Sequence, residues 1–150
     1  MTLTARLRSA TLAILCAAPL ALPFAAPAAA QGHSVIVEQF GWDNAAGGAQ
    51  SGHGQRLRVF QEGWGNTSMS AQDGWHNRAV VGQSGIGNDS AVVQGGAFNQ
   101  AGVAQFGHGN QAGIEQTGTH NAAGVIQVGS GNSASATQSG SGNVTLIIQD

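Results

Sequence analysis

From residue 34 onward, apolar and small residues alternate with polar ones, and the alternation restarts at fixed intervals. Gln stands at 39, 50, 61, 72, 83, 94, 105, 116, 127, 138 and 149, always eleven residues apart. Two residues after each of the first ten comes a glycine: Gly41, Gly52, Gly63, Gly74, Gly85, Gly96, Gly107, Gly118, Gly129 and Gly140. Five residues after stands Asn44, Asn66, Asn77, Asn88, Asn99, Asn110, Asn121, Asn132 or Asn143, with Gln55 as the exception. The seventh position is small (Ala, Ser or Thr) except at Leu57. The ninth is Val or Ile except at Gly48, Ser70 and Ala136.

A fixed period of this kind is the mark of a repeat architecture. Asn, the small residue, Val/Ile and the next Gln are two apart, so in a strand all four point to one face. The residues between them are mixed and read as an outward face. The obligatory glycine tolerates positive φ and supplies turn chemistry. The pattern predicts six-residue strands at 34–39, 45–50 and so on to 144–149, joined by Gln-x-Gly-x-x turns. A helix is excluded because glycine recurs too often and no 3.6-residue stripe exists.

One such strand cannot bury its apolar face alone. Two strands facing each other across a turn enclose a thin core, and stacking these pairs about 4.8 Å apart makes the core continuous. The expected fold is all-β: a β-solenoid, or cross-β stack, of about eleven strands with 11-residue half-repeats and 22 residues per coil. Burying an unpaired amide costs about 1–3 kcal/mol. Amides stacked in register can instead donate to one neighbour and accept from the other, as in the Asn/Gln ladders of cross-β structures. The alternative is a row of solvent-exposed glutamines, which would not need the same residue in every repeat.

The stretch QFGHGNQAGIEQ, residues 105–116, also fits G-x-G-x-x-(G/A) through Gly107, Gly109 and Ala112. That motif holds a pyrophosphate only where a helix follows, and here a strand is expected. Gly63/Gly65, Gly85/Gly87, Gly129/Gly131 and Gly140/Gly142 repeat the spacing as turn glycines.

The residues before the repeats have a different character. Arg6 and Arg8, the apolar run 9–22 and Ala28-Ala29-Ala30 read as a signal peptide over 1–30, cut before Gln31. A membrane anchor is the competing reading, against which Pro19 and Pro23 interrupt the run. The single cysteine, Cys16, lies in this leader behind Leu15, not a small residue, which argues against lipid attachment. The repeat region then has no thiol and must be stabilised without disulfides.

Past the leader, three arginines (Arg56, Arg58, Arg78) face seven carboxylates, net −4 with histidine neutral. No basic patch is expected, which disfavours nucleic acid as a partner. Arg56, Arg58, Arg78, Asp73 and Asp89 are either gatekeepers against premature aggregation or simply a solvated face. Residues 50–61, with Gln55, Leu57 and two arginines, are expected to form the weakest coil. His33, His53, His76, His108 and His120 lack the carboxylate or thiol that would complete a metal set; they read as turn residues, and no cofactor is expected. Trp42 and Trp64 should stack on one edge with Trp75 opposite. No nucleophile–base–acid set or concave pocket is apparent, so no enzyme is expected.

In tandem these units resemble the curlins, the subunits of bacterial curli fibres. Gln105-x-Gly107-x-Gly109-Asn110-x-Ala112-x3-Gln116 matches their repeat, as does Gln127-x-Gly129-x-Gly131-Asn132-x-Ala134-x3-Gln138. The resemblance covers 34–149. It implies a secreted functional amyloid of a Gram-negative bacterium, exported unfolded through a dedicated pore with accessory factors. It further implies self-assembly, joined by other curlin subunits, into fimbria-like fibres of the biofilm matrix that serve adhesion and surface colonisation. The even spacing is similar to the minor, nucleating subunit. The consensus serine is mostly absent or replaced and the long Gly-rich targeting segment of major subunits is missing, so both assignments stay open. The strands HSVIVEQ and NVTLIIQ are apolar on both faces, through Val35, Ile36 and Val37 and through Leu146, Ile147 and Ile148. They read as docking edges for end-to-end addition; capping by a partner is the alternative. A monomeric β-solenoid adhesin or ligand-binding protein is the reading from another class. Ice binding needs a regular outward threonine ladder, which is absent here.

Overall fold

The computed structural model describes residues 32–150; the expected leader lies outside them. Eleven strands follow one another: β1 (Ser34–Trp42), β2 (Ala45–His53), β3 (Arg56–Trp64), β4 (Thr67–Trp75), β5 (Arg78–Ile86), β6 (Asp89–Ala97), β7 (Gln100–His108), β8 (Gln111–Thr119), β9 (Ala122–Ser130), β10 (Ser133–Ser141) and β11 (Val144–Gln149). Odd strands form a six-stranded sheet, β1-β3-β5-β7-β9-β11. Even strands form a five-stranded one, β2-β4-β6-β8-β10. Each strand pairs in parallel with the strand 22 residues away, without slippage: Gln39 lies on Gln61 and Gln61 on Gln83. The fold is thus the expected all-β solenoid with 22 residues per coil.

Between the sheets lies the thin core. Leu57, Val59, Ala79, Val81, Ala101, Val103, Ala123 and Val125 come from the odd sheet, and Val92, Ala112, Ile114 and Ala136 from the even one. Alternation along each strand puts these in and their neighbours out, as in β5, where Ala79, Val81 and Gln83 are buried and Arg78 is exposed. A half-repeat alone encloses nothing. Stacking turns a strip a few side chains wide into a continuous interior.

Strand length corrects the sequence reading. Ten of the strands span nine residues, not six. The ladder continues through Gln-x-Gly-x, and only pairs such as Asp43-Asn44 leave the sheet. The reason lies in the glycine column. Gly41 to Gly140 hold φ between +103° and +124°, which bends the chain while its N–H and C=O stay in the ladder. The column is also tight: a Cβ on Gly85 would sit 1.9 Å from the carbonyl oxygen of Gly107. These glycines are fixed by the approach of the next coil as much as by φ.

The chain reverses two residues later, at a left-handed position. Gly65, Gly87, Gly109 and Gly131 occupy it, as do Asp43, His76, Phe98 and His120 at φ 54–59°. Gly107 and Gly109 therefore bracket a corner of the coil, and β8 follows it.

Candidate assembly core: amide ladders and end strands

The inward polar residues form columns of side-chain hydrogen bonds along the stack. In the odd sheet, Gln39 donates to Gln61 (2.6 Å), Gln61 to Gln83 (2.7 Å), Gln83 to Gln105 (2.8 Å), Gln105 to Gln127 (2.9 Å) and Gln127 to Gln149 (2.9 Å). In the even sheet, Gln50 donates to Gln72 (2.7 Å), Gln72 to Gln94 (2.8 Å), Gln94 to Gln116 (2.8 Å) and Gln116 to Gln138 (2.7 Å). Every Nε2 points towards the higher-numbered coil. Many of the same amides also donate across the interior to a backbone carbonyl, as Gln83 does to Thr67 (2.9 Å). The central glutamines are completely buried. They are affordable there because both ends of the amide are bonded.

The asparagines run the other way. Asn66 donates to Asn44 (3.1 Å), Asn88 to Asn66 (3.0 Å) and Asn110 to Asn88 (3.1 Å) at one corner; Asn121 donates to Asn99 (3.1 Å) and Asn143 to Asn121 (3.0 Å) at the other. Asn99 and Asn132 are joined to Asn77 and Asn110 by their backbone N–H groups, at 3.0 Å each. Most Nδ2 groups reach a glycine carbonyl of the column as well, as Asn66 does Gly85 (3.1 Å). Each such asparagine therefore ties its own corner to the coils on both sides. Gln and Asn columns of opposite polarity give the stack a direction at each end.

Gln55, the exception in sequence, sits in the asparagine slot and is completely buried. Its Nε2 copies the asparagine contacts, to the carbonyls of Ser51 and of Gly74 (3.1 Å). The extra methylene misplaces the oxygen, and Oε1 has no partner. Asn77 lacks the side-chain bond to its predecessor that Asn99 N makes to Asn77 at 3.0 Å. Below it, His33 Nδ1 accepts from Gln55 N at 3.3 Å, standing where an asparagine oxygen would. The eleven-residue frame places His33 in that slot, a signal the residue type conceals.

Leu57, the other exception, fills space opposite Gly48: a Cβ on Gly48 would lie 2.5 Å from Leu57 Cδ2. Two deviations thus compensate across the core. Ser68, Ser70 and Ser90 in the even sheet are buried with hydroxyls that have no partner.

On β1, Val35 and Val37 take inward positions and Ile36 an outward one. On β11, Ile147 faces in while Leu146 and Ile148 face out, 63% and 65% exposed. Gln50 Oε1, in the first coil of the even sheet, has no donor.

The turn residues group by edge. Trp42 lies in register with Trp64, whose indole donates to Asp43 at 2.8 Å. On the other edge Phe98 is stacked between His76 (5.4 Å, 20°) and His120 (5.1 Å, 19°), with Trp75 near His53. Sequence reasoning missed this column because it needs the 22-residue step and a left-handed position shared by three different residues. Arg56 and Arg78 are register partners, with Arg58 two residues along β3, a juxtaposition that the linear spacing did not bring out. Among the described residues, no three His, Cys, Asp or Glu side chains converge on a metal position.

The family model of the curlin-associated repeat matches residues 108–140, from the end of β7 into β10. No curated protein matches the chain. The matched segment carries the same Gln, Gly and Asn columns that run in one register from β1 to β11. The chain thus carries a curlin-associated repeat, set in a two-sheet solenoid of parallel strands.

Proposed function

We propose that the protein is a secreted structural subunit of curli-type extracellular amyloid, adding end to end through β1 and β11. The observation that carries the reading is the polarity of the ladders. The glutamine columns have their acceptor end at β1–β2, with Gln39 and Gln50, and their donor end at β11, with Gln149. The asparagine columns offer the reverse pair. A second copy placed head to tail meets each donor with an acceptor, and extends both sheets. Val35, Ile36 and Val37 and Leu146, Ile147 and Ile148 bring apolar area to the same junction. Biofilm matrix and surface adhesion follow as the setting, with the curli export pore and other curlin subunits as partners. The even eleven-residue spacing favours a second reading, a surface-anchored nucleator of a major subunit.

The test is assembly of residues 31–150, followed by thioflavin fluorescence and electron microscopy. Unbranched, thioflavin-positive fibres are expected, with growth slowed when Ile147 and Ile148 are replaced by lysine. A lasting soluble monomer overturns the reading in favour of a solitary solenoid.

A further inference from the structure

All three arginines of the described residues converge on the outer face of the odd sheet. Arg56 lies in register with Arg78, and the row continues to Ser34 on one side and Gln100 on the other. Neighbouring strands are about 4.8 Å apart, and like charges directly opposite one another are destabilising. Only Arg58 has a carboxylate partner, Glu38 at 3.7 Å, and that pair is well exposed. Glu62, also outward on β3, is six residues along from Arg56, roughly 20 Å. The arginines line two adjoining surface grooves. One, about 220 Å³, is formed with His76, Phe98 and Gln100. The other, about 420 Å³, is formed with Ser34 and Ile36. Among the described residues, the three arginines are thus gathered in one place beside seven dispersed carboxylates, and Arg56 and Arg78 have no anionic partner.

We propose that Arg56, Arg58 and Arg78, with Gln100 and Ser34, form a docking surface for an acidic polysaccharide, a chain bearing carboxylates on successive sugar rings. The planar guanidinium suits bidentate pairing with a carboxylate. Two guanidinium groups one strand spacing apart suit charges about one sugar ring apart, and the flanking amide and hydroxyl suit sugar hydroxyls. Nucleic acid fits less well. Its single strands are held by open aromatic faces, and here both faces of Phe98 are covered by His76 and His120. Its duplex charge is far denser than three arginines on an acidic protein match. The guanidinium groups lie on the flank of the stack, on β3 and β5, and only Ser34 and Ile36 of the groove belong to the end strand β1.

The experiment is titration of the soluble, freshly refolded protein with oligogalacturonate, beside neutral dextran and a DNA duplex. Oligogalacturonate is expected to bind at low salt and dextran not to. Arg56→Gln should weaken binding roughly fivefold, the upper range for an exposed ion pair, and Arg56→Gln with Arg78→Gln should weaken it further. Glu38→Gln should strengthen it by releasing Arg58. Circular dichroism of each variant reports its fold separately. Absent binding by the unaltered protein, binding unchanged in the folded double variant, or tighter binding of the duplex than of oligogalacturonate each overturns the proposal.

Discussion

The coils between β5 and β9 and those around β2–β4 obey the same period and are built differently. In the former, inward positions run Ala79/Val81, Ser90/Val92, Ala101/Val103, Ala112/Ile114 and Ala123/Val125, and the amide columns are unbroken. In the latter, Gly48 faces Leu57, Gln55 interrupts an asparagine column, and Gln50, Gln55, Ser68 and Ser70 bury unpaired oxygens where the former has Ser90. Both regions keep the same strand register. Register is therefore set by the columns that never vary, Gln and Gly, while the Asn and Val/Ile positions tolerate substitution when a neighbour compensates. The difference also marks residues 45–75 as the less stable part, since unpaired buried polar groups cost about 1–3 kcal/mol each.

The largest expected effect comes from the element both regions share. Gly85→Ala places a Cβ against the Gly107 carbonyl at a φ of +124°, and should lower stability by about 3 kcal/mol or more. A denaturant midpoint on the soluble protein measures it. Gly102→Ala, outward in β7 with open space around the added methyl, is the control and should be neutral or slightly stabilising.

Next come the ladders. Gln105→Ala strands the Gln83 donor and the Gln127 acceptor together, an expected loss of about 2–6 kcal/mol at 1–3 kcal/mol per orphaned group. Gln50→Ala removes a glutamine whose oxygen is already unpaired and should lose clearly less. Equal losses would erase the distinction between interior and end coils.

A double-mutant cycle examines the compensated pair. Gly48→Val alone collides with Leu57 and should destabilise by about 1–3 kcal/mol. Leu57→Ala should relieve much of this, leaving a coupling energy of about 1 kcal/mol or more. Additive effects would mean that the two positions do not share the same space.

The smallest effect sharpens the contrast from the other side. Gln55→Asn restores the rung beneath Asn77 and removes the unpaired Oε1. A gain of about 1 kcal/mol is expected, read as a higher midpoint and as slower hydrogen exchange at the Asn77 amide.

Much of this was legible in one dimension because every coil repeats the same local problem. Parity within the unit told which side chains enter the core, and the constancy of Gln39 to Gln149 pointed to stacked amides. Strand length was misjudged because glycine was taken as the turn itself. Gly41 and its successors instead bend the strand without leaving the ladder, which depends on a neighbour 22 residues away.

By itself, then, the sequence determined the period, the inward face and the 22-residue coil, since these follow from side-chain alternation and from the need of a narrow strand to find a partner. The tertiary structure decided what the stacked positions do to one another. Stacking opposed the two ladder directions, matched Leu57 to Gly48, seated Gln55 in an asparagine slot, and set Phe98 between two histidines. It also brought Arg56 onto Arg78. Each depends on distances of a few ångströms between residues tens of positions apart, which a linear pattern indexes but does not measure.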